Sequence, residues 1–215
     1  MNHSQNARIS GLYIITPDER DTAELLRKVR MALSGGARVV QYRNKLAGAL
    51  LRSEQASALR ALTQQFSVPL IVNDDVALAL EVDADGVHLG AEDGSIREAR
   101  TRLGQGKMIG ASCYNRRELA MGAARQGADY VAFGSFFAST VKPAAVAATP
   151  ELLRQARQEL NVPIVAIGGI TAQNGVQLLG AGADALAVIS AVFAAPDIEG
   201  AARKFSNLFE QGKTA

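Results

Sequence analysis

The feature that most constrains this chain is an alternation repeated eight times, in which a short β-branched apolar run gives way to a longer segment with apolar residues at helical spacing. The short runs fall at 12–15, 38–42, 70–72, 86–89, 108–111, 130–133, 164–167 and 185–189. Between them, sets such as Leu25, Val29, Met31 and Leu33, and later Leu152, Leu153, Ala156 and Leu160, recur with a helix's period. Ser95 with Glu98 and Asn115 with Glu118 read as capping boxes, and Thr149 before Pro150 reads as a cap followed by a proline at the first helical position. The segments GGARVVQYR, DADGVHLG, QGADYVAFG and GAGADALAVIS look like one β/α unit repeated. Strands too apolar to face water on either side predict a parallel sheet covered by helices, and eight of them favour a closed (β/α)₈ (TIM) barrel in one domain spanning 1–215. An open doubly wound sheet is disfavoured because Ile14 and Ile15 lead into TPDERD and not into a glycine-rich dinucleotide turn. Residues 1–10 are polar and read as a flexible extension.

Composition narrows the function. Of 215 residues, 48% are hydrophobic and 20% charged, as in an ordinary folded domain. Lys plus Arg number 23 against 21 Asp plus Glu, a net charge of +2 that leaves no phosphate-backbone footprint, so nucleic acid is not an expected partner. No stretch approaches 18 uninterrupted apolar residues, so no membrane partner is expected, and the chain reads as cytoplasmic. The lone Cys113 excludes an internal disulfide, and His3 and His88 are too few for a histidine cage. The oligomeric state is open, a homo-oligomer included.

In such a barrel the loops after the strands build the active site. After the second run, Gln41 and Arg43 share a face and Lys45 lies just beyond, a trio suited to a polyanion, although spacing alone does not separate it from ordinary solvated charges. The third run ends in Asn73, Asp74 and Asp75, one of which is expected to cap the next helix. Glu92 and Asp93 follow the fourth run without an obvious structural task. Asp74 and Asp93 are the favoured pair for a Mg²⁺ bridging to a diphosphate, because hard cations take oxygen ligands. His88 is read as a core histidine bonded to backbone, and Ser112 as a hydrogen-bonding residue with no base to activate it. A long loop after the sixth run carries Ser139, Thr140 and Lys142, and Gly169 with Ser190 fits a phosphate site after the seventh and eighth runs. Two anion sites on one rim, with no activated nucleophile, point to catalysis by positioning and charge stabilisation.

Taken in order, VVQYRNK, IVNDDVALAL, ADGVHLGAED, GASCYN, ADYVAFGSFF, PIVAIGGIT and AVISA resemble the thiamine phosphate synthase family over almost the whole chain. The resemblance implies joining of 4-amino-2-methyl-5-(hydroxymethyl)pyrimidine diphosphate to a thiazole phosphate. It implies that Gln41, Arg43, Lys45, Asn73, Ser112 and Lys142 hold the pyrimidine diphosphate, with Arg43, Lys45 and Lys142 catalytic. Asp74 and Asp93 would bind Mg²⁺, and Ser139, Thr140, Val141, Gly169, Ile189 and Ser190 the thiazole phosphate. Ala138 and Val141 stand where many members have proline and threonine, and Ala91 where glutamine is common. The alternatives are a thiazole tautomerase on the same barrel and a non-catalytic barrel that binds phosphate ligands.

Overall fold

The computed structural model describes residues 9–138 and 148–211. Eight parallel strands close in sequence order: β1 (Gly11–Ile15), β2 (Val39–Tyr42), β3 (Leu70–Asn73), β4 (Gly86–Leu89), β5 (Met108–Tyr114), β6 (Tyr130–Phe133), β7 (Ile164–Ile167) and β8 (Ala185–Val188). They alternate with α1 (Thr22–Ser34), α2 (Ala49–Gln65), α3 (Val76–Glu81), α4 (Ile96–Leu103), α5 (Arg117–Arg125), α6 (Pro150–Glu159) and α7 (Ala172–Gly180). After β8 come the single turn α8 (Ser190–Phe193) and then α9 (Ile198–Gln211).

Both faces of every strand are used, which is why the strands read as continuous apolar runs. Outward residues such as Leu12, Ile14, Val40, Tyr42 and Val72 pack under the helices, while Tyr13, Ile15, Val39, Ile71, Tyr130 and Val165 fill the barrel. Ile9, inside the expected extension, is buried in that inner cluster.

The repeated Ala-Asp or Gly-Ala-Asp signature has a structural cause. Oδ2 of Asp85, Asp129 and Asp184 accepts a backbone N–H at the start of the preceding strand, from Leu70 at 2.8 Å, Ile109 at 2.7 Å and Ile164 at 2.8 Å. The same oxygens pair with Arg60, Arg100 and Arg157. Each staple ties β3 to β4, β5 to β6 or β7 to β8 at the amino-terminal rim. The first quarter departs from the pattern, carrying Arg38 where the others carry aspartate.

Helix starts follow the expected chemistry in part. Thr149 caps α6 through the Leu152 N–H, with Pro150 at the first helical position. Ser95 takes the cap position of α4 without a side-chain bond, so no capping box forms there. The cap of α5 is Arg116 and not Asn115, because β5 runs on to Tyr114 through a register shift after Ser112 and delays the helix.

Candidate active site

The carboxyl ends of β2 and β3 bring three of the expected diphosphate residues, Arg43, Lys45 and Asn73, together with the expected metal ligand Asp74. A cavity of about 270 Å³ is lined by Arg43, Lys45, Arg52, Asn73 and Asp74, backed by Tyr42 and Leu78. Thr16 accepts from the Arg43 N–H and donates to its carbonyl, both at 2.9 Å, which fixes the backbone where β2 ends. Asp18 takes the Lys45 N–H at 2.7 Å and lies 3.7 Å from the Arg43 guanidinium. The Lys45 ammonium is 3.8 Å from Oδ2 of Asp74. Thr16, Asp18 and Arg52 escape a reading of strand ends. Asp18 and Arg52 stand in an exposed loop and on a helix, where charge is ordinary, and only the fold brings them here.

The three polar residues ending β3 have separate tasks. Asp75 is the cap of α3, accepting the Leu78 N–H at 2.9 Å. Asp74 adopts a left-handed φ of 64°, uncommon outside glycine, and its N–H donates to the His88 carbonyl at 2.8 Å. That conformation swings its carboxyl away from the helix and toward Asp93 of the next loop. Asp93 is anchored by the Gly90 N–H at 2.7 Å. Burial, then the hydrogen-bonded and like-charged Asp93, push Asp74 up to about 6, with Lys45 and Asn73 opposing. Glu92 is exposed.

Deeper in the barrel the polar groups are linked. Gln41, only 3% exposed, points inward from β2 and donates through Nε2 to the Tyr13 hydroxyl at 2.8 Å. That hydroxyl is 2.9 Å from the Tyr130 hydroxyl, which is 3.1 Å from His88 Nδ1. His88 Nε2 is 2.9 Å from Ser112 Oγ on β5. His88 is therefore a core histidine, as expected, but its ring partners are side chains and not backbone. Burial pushes its pKa down to about 4, against the pull of Asp93, so the ring is neutral at physiological pH. Burial likewise pushes the Cys113 thiol up to about 12, which removes it as a nucleophile.

On the far side of the rim, Gly169 takes φ of 61°, and a Cβ there would sit 2.4 Å from the Ala138 carbonyl, so glycine lets β7 approach the loop after β6. Ile189 caps the short α8, and Ser190 begins it, exposed. Ser139, Thr140, Val141 and Lys142 lie outside the described residues. Among the described residues no helix is long and apolar enough to cross a membrane.

Fold and site together define a (β/α)₈ barrel with a cavity of cationic and acidic side chains at the carboxyl ends of its strands. A profile of the family described as thiamine monophosphate synthase matches residues 12–192. The chain is 54% identical over 203 residues to a thiamine-phosphate synthase of Nitrosospira multiformis, covering 94% of this chain and 87% of that one. It is 55% identical over 201 residues to one of Methylobacillus flagellatus, covering 94% and 96%. Among solved structures, thiamine phosphate pyrophosphorylase from Pyrococcus furiosus superposes with a TM-score of 0.85 at 38% identity, over 95% of this chain and 98% of that one. Orotidine 5'-phosphate decarboxylase from Pyrococcus horikoshii, at TM-score 0.69 and 16% identity over 93% and 99%, shares the fold alone. The chain belongs to the thiamine monophosphate synthase family, and its activity is that of a transferase of thiamine biosynthesis.

Proposed function

We propose that the enzyme condenses 4-amino-2-methyl-5-(hydroxymethyl)pyrimidine diphosphate with 4-methyl-5-(2-phosphoethyl)thiazole, or its carboxylated form, releasing thiamine phosphate and pyrophosphate. The observation that carries this reading is the meeting of Asp74 and Asp93 beside a cavity lined by Arg43 and Lys45. The neighbouring Asp93 raises the proton affinity of Asp74, and two carboxylates held this close concentrate negative charge on oxygen donors, which suits a hard divalent cation. Among the described residues no cluster of three or more His, Cys, Asp or Glu is gathered for a metal. Two carboxylates leave room for diphosphate oxygens and water, the usual habit of Mg²⁺. Bound there, Mg²⁺ would supply neutralisation of the departing diphosphate.

The chain's own residues do the rest. Arg43 offers paired donors and Lys45 a mobile point charge to the same oxygens, each charge-assisted contact being worth about 1.5–3 kcal/mol. Their grip tightens as the leaving group gathers charge, which favours breaking the C–O bond before the new bond forms. The electron pair leaves with pyrophosphate, and the pyrimidine-stabilised cation is captured by the thiazole nitrogen. Asn73 sits on the inner face of β3 beside Asp74, fitted to the diphosphate, and Lys142 is assigned to the same group. Gly169, Ile189 and Ser190, with Ser139, Thr140 and Val141, are assigned to the thiazole phosphate.

The test is a purified-protein assay with both substrates, following thiamine phosphate by oxidation to fluorescent thiochrome with and without Mg²⁺. Metal-dependent product is expected. Binding of both substrates without product would overturn the assignment.

A further inference from the structure

The barrel interior holds a polar chain where aliphatic side chains would pack at less cost. Gln41, Tyr13, Tyr130, His88 and Ser112 run from β2 to β5 through contacts of 2.8, 2.9, 3.1 and 2.9 Å. Gly110 makes space for it: a Cβ there would lie 2.1 Å from the Tyr130 ring and 2.5 Å from His88 Nδ1.

Proton counting gives the chain a direction. The Gln41 amide nitrogen donates to Tyr13, so Tyr13 must place its own proton elsewhere, and its remaining neighbour in the chain is the Tyr130 hydroxyl. Tyr130 then donates to Nδ1 of the neutral His88, whose single N–H is left on Nε2 and is donated to Ser112 Oγ. The reverse order would leave the fully buried Tyr13 hydroxyl proton without an acceptor in the chain, an expensive arrangement. In the favoured order the one unspent proton of the chain is that of the Ser112 hydroxyl, half-buried at the carboxyl end of β5, and among the described residues the Gln41 carbonyl oxygen is the open acceptor at the other end.

We propose that Tyr13, Tyr130 and His88 are positioning residues that lock the hydrogen-bond polarity of the pyrimidine site, holding Ser112 as a donor and Gln41 as an acceptor toward the substrate. Only the identity of the molecule that meets the two ends rests on the synthase reading. An aminopyrimidine edge matches them, since its amino group donates and its ring nitrogen accepts. The 4-oxo analogue inverts both, carrying an acceptor carbonyl beside a protonated ring nitrogen. The chain therefore sets specificity without touching the reacting atoms.

The first test needs no substrate. Two-bond ¹H–¹⁵N correlation spectra of the full chain labelled at histidine contain only His3 and His88, and His88 is expected as the Nε2–H tautomer; an Nδ1–H tautomer overturns the proposal. The second compares kcat/KM for the 4-amino and 4-oxo pyrimidine diphosphates. Tyr130→Phe removes the donor to Nδ1 and is expected to shrink the preference for the amino form at least tenfold, with a mixed His88 tautomer. An unchanged preference in a folded Tyr130→Phe protein also overturns it. If the wild type turns over neither compound, the synthase reading fails, and the tautomer measurement still decides the chain's direction.

Discussion

At the scale of single residues, the carboxyl pair sets function against stability. Asp74 has its pKa raised from 3.8 to about 6, so between those values the folded protein holds a proton that the unfolded chain has released. This group's contribution is present at low pH and lost as pH rises through 6. The penalty at neutral pH is about 1–2 kcal/mol once solvent screening of a partly exposed group is allowed for. Asp74→Asn is therefore expected to raise metal-free stability at pH 7 by about that much, read by urea denaturation, while turnover falls by orders of magnitude. Arg43→Ala should cost turnover similarly with the fold intact, and wild-type activity in either variant would remove the residue from the site. His88 works in the opposite direction. Its pKa falls from 6.5 to about 4 on folding, so its contribution is complete above 6.5 and is lost as pH drops through 4. The decline in unfolding free energy between pH 7 and pH 4 should be about 2–3 kcal/mol smaller in His88→Asn than in the wild type; because Asp74 is common to both proteins, the comparison isolates the imidazole. The acid pair was legible in the sequence as two strand-end carboxylates near cations. Which of Asp74 and Asp75 would cap α3 was not, because that turns on the left-handed φ of Asp74, which the residue type does not dictate.

At the scale of elements, the strands were legible because both faces of each are buried, and their apolar runs mark them within a residue or two. The exception is β5, whose last three residues, Ser112, Cys113 and Tyr114, do not look like a strand and are held by pairing with β6. The link from Tyr13 to Tyr130 spans 117 positions, and no local pattern announces it. Gly110 shows how one element's composition serves another's contacts. Gly110→Ala would drive a methyl group into the Tyr130 ring, and overpacking of this kind costs about 1–3 kcal/mol. Gly106, in the loop before β5, has nothing within 4 Å of its would-be Cβ, so Gly106→Ala should leave the denaturation midpoint nearly unchanged. Equal effects at the two positions would mean that the interior is loose enough to absorb the methyl, contrary to the packing described.

At the scale of the whole molecule, the barrel divides its labour between its two rims. The carboxyl-terminal rim carries the cavity, its cations and the Asp74–Asp93 pair, whereas the amino-terminal rim carries the three aspartate staples, whose partners are all structural. A carboxylate that satisfies an N–H at the start of a strand and also meets an arginine contributes about 1.5–3 kcal/mol in a sheltered setting, and nearer the lower figure where the pair is open to water. Asp184, with its carboxylate 21% exposed, should matter more than Asp129 at 44%. The staples join different strand pairs and share no partner, so their losses should add. Asp129→Ala and Asp184→Ala are each expected to lower the unfolding free energy by about 1–3 kcal/mol, the double variant by their sum within about 0.5 kcal/mol, and kcat/KM at a temperature where all remain folded should stay within twofold of wild type. A double variant that loses activity while still folded would show that strain at one rim reaches the other, and that the staples hold the catalytic geometry as well as the sheet.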